Sequence, residues 1–291
     1  MKYSKFSVLF LLVSACTGQT IPDSLRYLGL KPPGNEPKKF DLPVTPGYFA
    51  AERIAISSDG KEIYFGELTG YGPDSKGRLR YMKLSENRWN GPFTVIERAG
   101  NMALSIDGTK LFVGAEWYCE RKDSGWGSPR RFWNTTNKLH YIQETHSGTY
   151  YTFSHPSGDT TRREWCRLTC TQTDTTVESL GTPPNVPDSG MDFYLARDES
   201  YIIIVVRRSP LRTTSGYADL YISFRRSDKT WTNPKSLGPA VNSADPDDGR
   251  WGPYVTDDNR FLFYSHGKDA ATAGILWVRF DGLLDNLREA Q

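Results

Sequence analysis

Short apolar runs alternate with tight polar turns along most of the chain, and one such unit recurs. An apolar strand, a turn and a second apolar strand can be read from Ile54 to Phe65 around Asp59-Gly60, and again from Met102 to Val113 around Asp107-Gly108. A third copy, Tyr141 to Phe153, keeps the glycine but has Ser147 before Gly148. A fourth, Phe193 to Ile204, turns at Asp198-Glu199, and a fifth, Tyr254 to Tyr264, turns at Asp258-Asn259. Gly and Asn suit the second turn position because they enter the left-handed region cheaply. The turns fall 40–60 residues apart, near the roughly 40–50-residue period of a four-stranded propeller blade.

A second half of the unit also repeats. Leu79 to Pro92 aligns with Tyr221 to Pro234, and Trp117 to Pro129 is a shorter copy. Each is an alternating strand, a polar turn, and a Trp-x-x-Pro opening an outer strand. Period-two alternation places one sheet face against a neighbouring blade, and Trp89, Trp126 and Trp231 are expected to wedge between blades.

These patterns predict an all-β fold: a β-propeller of five four-stranded blades over residues 38–291. The fifth unit ends near Phe280 without an outer strand, whereas Lys38 to Val44 precedes the first unit and has the pattern of one. That N-terminal strand is expected to complete the last blade, which removes an open sheet edge. Asp285 to Gln291 is left as a tail with one helical turn. A six-bladed alternative needs a hidden repeat in 114–190, where little length is spare.

Asp219-Leu-Tyr-Ile-Ser-Phe, Trp231-Thr-Asn-Pro-Lys-Ser-Leu-Gly238 and Trp251-Gly-Pro-Tyr-Val-Thr-Asp-Asp258 resemble the TolB-type, WD-repeat-like propeller repeat of bacterial envelope proteins. The resemblance is strongest over 219–266, fair over 53–113 and poor over 114–190. It implies a propeller fold and little about activity: members commonly serve as binding or scaffold modules, and propellers in general host both enzymes and adaptors.

The N-terminus reads as an export signal. Lys2 and Lys5 precede an apolar run from Phe6 to Val13 that is too short to span a bilayer. Val13-Ser14-Ala15-Cys16 resembles a lipobox, which implies a lipidated Cys16 on a periplasmic or outer-membrane-anchored lipoprotein. Ordinary cleavage after Ala15 is the alternative. Residues 17–37, polar and rich in Pro and Gly, read as a tether.

Aromatic residues make up 13% of the 291 residues, with 26 Gly and 18 Pro, as many short strands require. The net charge of +2 gives no basic face for nucleic acid. Beyond Cys16, Cys119, Cys166 and Cys170 are an odd set without zinc-like His spacing and are expected to be small buried side chains. No catalytic elbow, phosphate loop or His-Glu-x-x-His helix occurs, and neither a metal nor a cofactor is expected.

The candidate site is geometric. Segments entering the inner strands should line one mouth of the axial channel, and they carry Glu52, Arg53, Arg98, Asn101, Asp188, Asp192, Asp247, Asp248 and Arg250. Such a set suits a cation, a sugar or a basic peptide. Two functions follow: a non-catalytic, monomeric binding module of the cell envelope, with a glycan or another envelope protein as partner, or a glycosidase-like enzyme using axial acids. His155 and His266 occupy equivalent strand ends, which points to a structural or loop role.

Overall fold

The computed structural model describes residues 21–97, 102–114, 116–123, 125–171, 174–207 and 218–289. The segment read as an export signal with Cys16, and Arg98 and Asn101, lie outside the described residues.

A 3-10 segment, Asp23–Gly29, precedes β1 (Lys38–Lys39). The first blade follows as β2 (Phe49–Ile56), β3 (Glu62–Leu68), β4 (Gly77–Ser85) and β5 (Arg88–Ile96). The second holds β6 (Met102–Leu104), β7 (Lys110–Val113) and β8 (Trp117–Lys122), with β9 (Gly125–Trp126) and β10 (Arg130–Arg131) both paired to β8. The third is β11 (Asn137–Glu144), β12 (Tyr150–Pro156), β13 (Glu164–Cys170) and β14 (Thr175–Ser179). The fourth is β15 (Ser189–Leu195), β16 (Tyr201–Arg207), β17 (Ala218–Phe224) and β18 (Lys235–Ser236). In the fifth, β19 (Gly249–Val255), β20 (Phe261–Gly267) and β21 (Gly274–Arg279) are completed on the outside by β1. The protein is therefore a five-bladed β-propeller closed by its N-terminal strand.

That closing strand is shorter than its sequence pattern. Lys38 and Lys39 pair with Trp277 and Leu276, and the Phe40 amide donates to the Ile275 carbonyl at 2.8 Å. Phe40 then buries its ring between Phe263 and Trp277, with centroids at 5.0 and 5.3 Å. The tail is a full helix, α1 (Asp281–Glu289), because Leu284 and Leu287 give it an apolar face to bury.

Residues 21–37, within the segment read as a tether, pack on the propeller. Tyr27 meets Phe261 and Trp277 at 5.3 and 5.4 Å. The Trp89 indole donates to the Leu25 carbonyl at 2.7 Å, and the Arg279 amide to that of Gly34 at 3.0 Å. Sparse apolar residues (Ile21, Tyr27, Leu28, Leu30) are enough to hold this polar stretch down.

The repeated turns share one geometry. Gly60, Gly108, Gly148, Glu199 and Asn259 all have positive φ, between 56° and 78°. Glu199 takes a glycine's place, and its carboxylate accepts from Thr145 Oγ1 and Tyr151 Oη at 3.0 and 2.9 Å and pairs with Arg225. Trp126 and Trp231 pack toward the preceding blade, against Tyr64 and against the Phe153–Trp165 cluster, whereas Trp89 meets the N-terminal segment. Cys119 and Cys166 are buried, but Cys170, at the outer end of β13, is exposed.

Candidate functional site

Each inner strand starts at one face of the disc, the entry face, and ends at the turn face where the repeated turns lie. Arg53, Asn101, Tyr141, Asp192 and Gly252 share one register position, six residues before turn residues 59, 107, 147, 198 and 258. In the first, third, fourth and fifth blades, pairing with the second strand breaks around this position: between Ala51 and Ala55, His140 and Gln143, Ser189 and Phe193, and Trp251 and Tyr254. A bulge bends the strand and re-aims its side chains. Glu52, Tyr141 and Gly252 accordingly take φ of 69°, 56° and 59°.

Arg53 fills the axis. Its Nε donates to the Met102 carbonyl at 3.0 Å, Nη2 to that of Ile142 at 3.1 Å and Nη1 to that of Phe193 at 3.1 Å. One guanidinium thus ties its own blade to the next three through carbonyls in equivalent register. Burial lowers its pKa to about 10, so it stays charged near neutrality, and the Tyr141 ring lies 5.5 Å from its central carbon.

Arg197 closes the other end. It donates to the Glu144 and Leu104 carbonyls at 2.6 and 3.4 Å, and its Nε lies 3.7 Å from Asp257. Between the two arginines the Gln143 amide bonds both backbone groups of Leu195. The cavity left there is about 10 Å³, with Met102, Tyr194 and Tyr254 in its lining, room for about one water. The axis is a plugged core.

On the entry side of Arg53, two acids converge. Tyr141 Oη lies 2.9 Å from Glu52 Oε2 and also hydrogen-bonds the Asp192 carboxylate, whose Oδ2 accepts the Gly252 amide at 2.8 Å. One phenol hydrogen cannot serve two carboxylates. The bonds are all satisfied when a protonated Glu52 donates to Tyr141 and Tyr141 donates to Asp192. The electrostatics agree: burial, then the Asp192 charge, push Glu52 up to about 7. Burial also raises Asp192, against the pull of Tyr141, the Gly252 amide and Arg53. Tyr71, from the β3–β4 loop, is 48% exposed over this group and meets Trp251 and Phe49 at 6.1 and 5.6 Å.

The structure thus brings Glu52, Arg53 and Asp192 together and places the other described candidates elsewhere. Asp188 is exposed on the rim, where its carbonyl accepts the Arg207 amide. Arg250 is buried off the axis, with Nε on the Val241 carbonyl at 2.9 Å and Nη1 2.8 Å from Asp248. Although burial acts the other way, this guanidinium holds Asp248 below the usual carboxylate range. Asp247 belongs to the same loop, its amide donating to Asp245 at 3.0 Å. His266 lies 3.6 Å from Asp248, and His155 Nδ1 donates to the Pro156 carbonyl at 2.9 Å. Tyr141, Gly252, Tyr71, Gln143 and Arg197 escaped the sequence reading. The first two share the register position of Arg53 and Asp192, a signal that was available. Among the described residues, no group of three or more His, Cys, Asp or Glu could hold a metal.

No protein-family model matches the chain, and no curated protein matches its sequence. Its fold is similar to that of several solved propellers. The α-L-arabinofuranosidase PaAbf62A from Podospora anserina, in complex with cellotriose, has TM-score 0.47 at 11% identity, covering 81% of this chain and 92% of that one. TolB from Acinetobacter baumannii has TM-score 0.45 at 13% identity, covering 77% and 53%. Oligogalacturonate lyase from Vibrio parahaemolyticus has 0.40 at 10%, covering 80% and 66%. The chain therefore spans just under two thirds of the lyase and about half of TolB. These likenesses concern fold only.

Proposed function

We propose that this protein is a non-catalytic binding propeller of the bacterial cell envelope that recognises glycan at its entry face. One observation carries this reading. Of the five large apolar side chains most exposed among the described residues, Val44, Tyr71, Trp117 and Met191 lie on entry-face segments, and only Phe93 lies elsewhere. Exposed apolar groups collected on one face give that face contact surface for a ligand. An aromatic ring beside fixed polar groups suits a sugar, which has an apolar C–H face and a hydroxyl edge. The axial groups meanwhile bind the propeller to itself: Arg53 and Arg197 spend donors on backbone carbonyls, and Asp192 accepts from Gly252.

Lipidation at Cys16 fits this orientation. Ile21, five residues on, lines a cavity with Ser57 to Gly60 and Thr256 to Asp258 on the turn face. Five residues reach about 17 Å, so an anchor there holds the turn face toward the membrane and leaves the entry face open. Palmitate labelling lost in Cys16→Ala tests the anchor.

The second reading is a glycosidase-like enzyme, favoured by Glu52, pushed up to about 7, beside a second buried carboxyl, Asp192, that burial also raises. A glycan array combined with a hydrolysis assay separates the two. Binding without turnover, weakened at least about tenfold by Tyr71→Ala, supports the binding module. Hydrolysis abolished by Glu52→Gln or Asp192→Asn supports the enzyme, and an array with no bound glycan overturns the recognition proposal.

A further inference from the structure

A cleft between the second and third blades, opening on the entry face, is independent of the axial group. It encloses about 540 Å³ and is lined by Trp117, Glu116, Lys138, Leu139, His140 and His155 among others. That volume falls in the range of small-ligand sites, roughly 300–1,000 Å³.

Of the eight tryptophans, Trp117 is the most exposed, at 41%. It sits at the entry-face end of β8 and does not belong to a Trp-x-x-Pro corner, so blade packing does not account for its ring. Opposite it, His140 on β11 and His155 on β12 stack across the strand pair, with centroids 5.5 Å apart and planes at 25°. A carbonyl only accepts, so the Pro156 contact places a proton on His155 Nδ1 and leaves the Nε2 edge free of that bond. No hydrogen bond to the His140 ring is formed among the described residues. Burial, then His155, lower its pKa, which keeps it neutral at pH 7. Glu116 is neutralised by Arg131 at 3.1 Å.

We propose that this cleft is a saccharide subsite, in which a pyranose ring lays its C–H face on Trp117 and directs hydroxyls at the edges of His140 and His155. The neutral His140 imidazole offers one donor and one acceptor, matching a hydroxyl that both donates and accepts. The indole supplies an apolar platform at small entropic cost. An axial ligand would leave these three side chains without a role. The inference rests on the binding reading of the entry face and assigns that face its sugar-contacting residues.

The test is NMR titration of the Trp117 indole resonance, assigned with Trp117→Phe, against methyl glycosides of glucose, galactose, N-acetylglucosamine, xylose and glucuronic acid, each to about 100 mM. This range covers the millimolar affinity of a single sugar. A saturable shift with at least one glycoside is expected, with affinity reduced at least about tenfold in His140→Ala and in His155→Ala while circular dichroism is unchanged. No saturable shift with any of the five overturns the proposal. Binding that persists in Trp117→Ala but is lost in Tyr71→Ala, both read from backbone amide shifts, also overturns it, moving the sugar to the axial mouth and leaving the binding reading intact. Loss in Trp117→Ala with binding kept in Tyr71→Ala, both with native circular dichroism, supports the cleft.

Discussion

Arg53 Nη1 and the Phe193 carbonyl oxygen meet at 3.1 Å across the propeller axis, although 140 residues separate them in the chain. With the bonds to Met102 and Ile142, this contact makes one side chain common to four blades. Buried carbonyls left without a donor are expensive, and the geometry uses the guanidinium's fork. Arg53→Met is expected to cost about 3–5 kcal/mol, and Arg53→Lys to recover only part, because an ammonium cannot reach three carbonyls in that fan. Urea midpoints of the three proteins check this, and an Arg53→Met midpoint equal to the parent's sinks the axial-hub account.

Glu52 makes stability depend on pH. Folding raises its pKa from 4.5 to about 7, so the folded state holds this proton more tightly. The associated stability is complete below about pH 4.5 and is lost as pH rises through 7. Raised Asp192 acts in the same direction. Glu52→Gln, whose amide can still bond Tyr141, should flatten stability between pH 5 and 8 and raise it at pH 8 by roughly 2–3 kcal/mol. Denaturant unfolding across that range measures the slope, and an unchanged slope in the variant removes Glu52 as its source.

Gly252 stands where the first and fifth blades nearly touch. A Cβ there would lie 2.8 Å from both the Arg53 nitrogen and the Glu52 carbonyl carbon, at φ +59°, whereas Gly181 has φ +76° with nothing within 4 Å. Gly181→Ala should cost about 1–2 kcal/mol for its backbone conformation alone. Gly252→Ala should cost clearly more and perturb the Tyr141 and Arg53 resonances. Equal costs would mean the axial contact is not tight.

Phe40 is the anchor of the closing strand. Phe40→Ala should destabilise the protein by about 3–5 kcal/mol and speed amide exchange along β21, whose edge it uncovers. Lys39→Ala, exposed on the same strand, should change stability by no more than about 0.5 kcal/mol. Exchange that stays unchanged in Phe40→Ala would show that β1 is not what protects this edge.

The sequence was enough for the blade count and the closing strand, because hairpin turns and apolar alternation are local and repeat with the blade. Glu199 shows the limit of such reading: it occupies a glycine's turn position through contacts to Thr145, Tyr151 and Arg225 that lie elsewhere in the chain. Residues 21–37 look like a linker because only four apolar side chains anchor them, and the surface they cover is assembled from other segments. Glu52, Arg53 and Asp192 were legible as residues entering inner strands. Nothing local distinguished them from Asp188, on the rim, or from Asp248 and Arg250, which brace a loop. What the tertiary structure alone decided is which of these charges share a space. A bulge in four of the inner strands, in the first, third, fourth and fifth blades, re-aims one register position, and there ring closure makes Arg53, Tyr141, Asp192 and Gly252 neighbours.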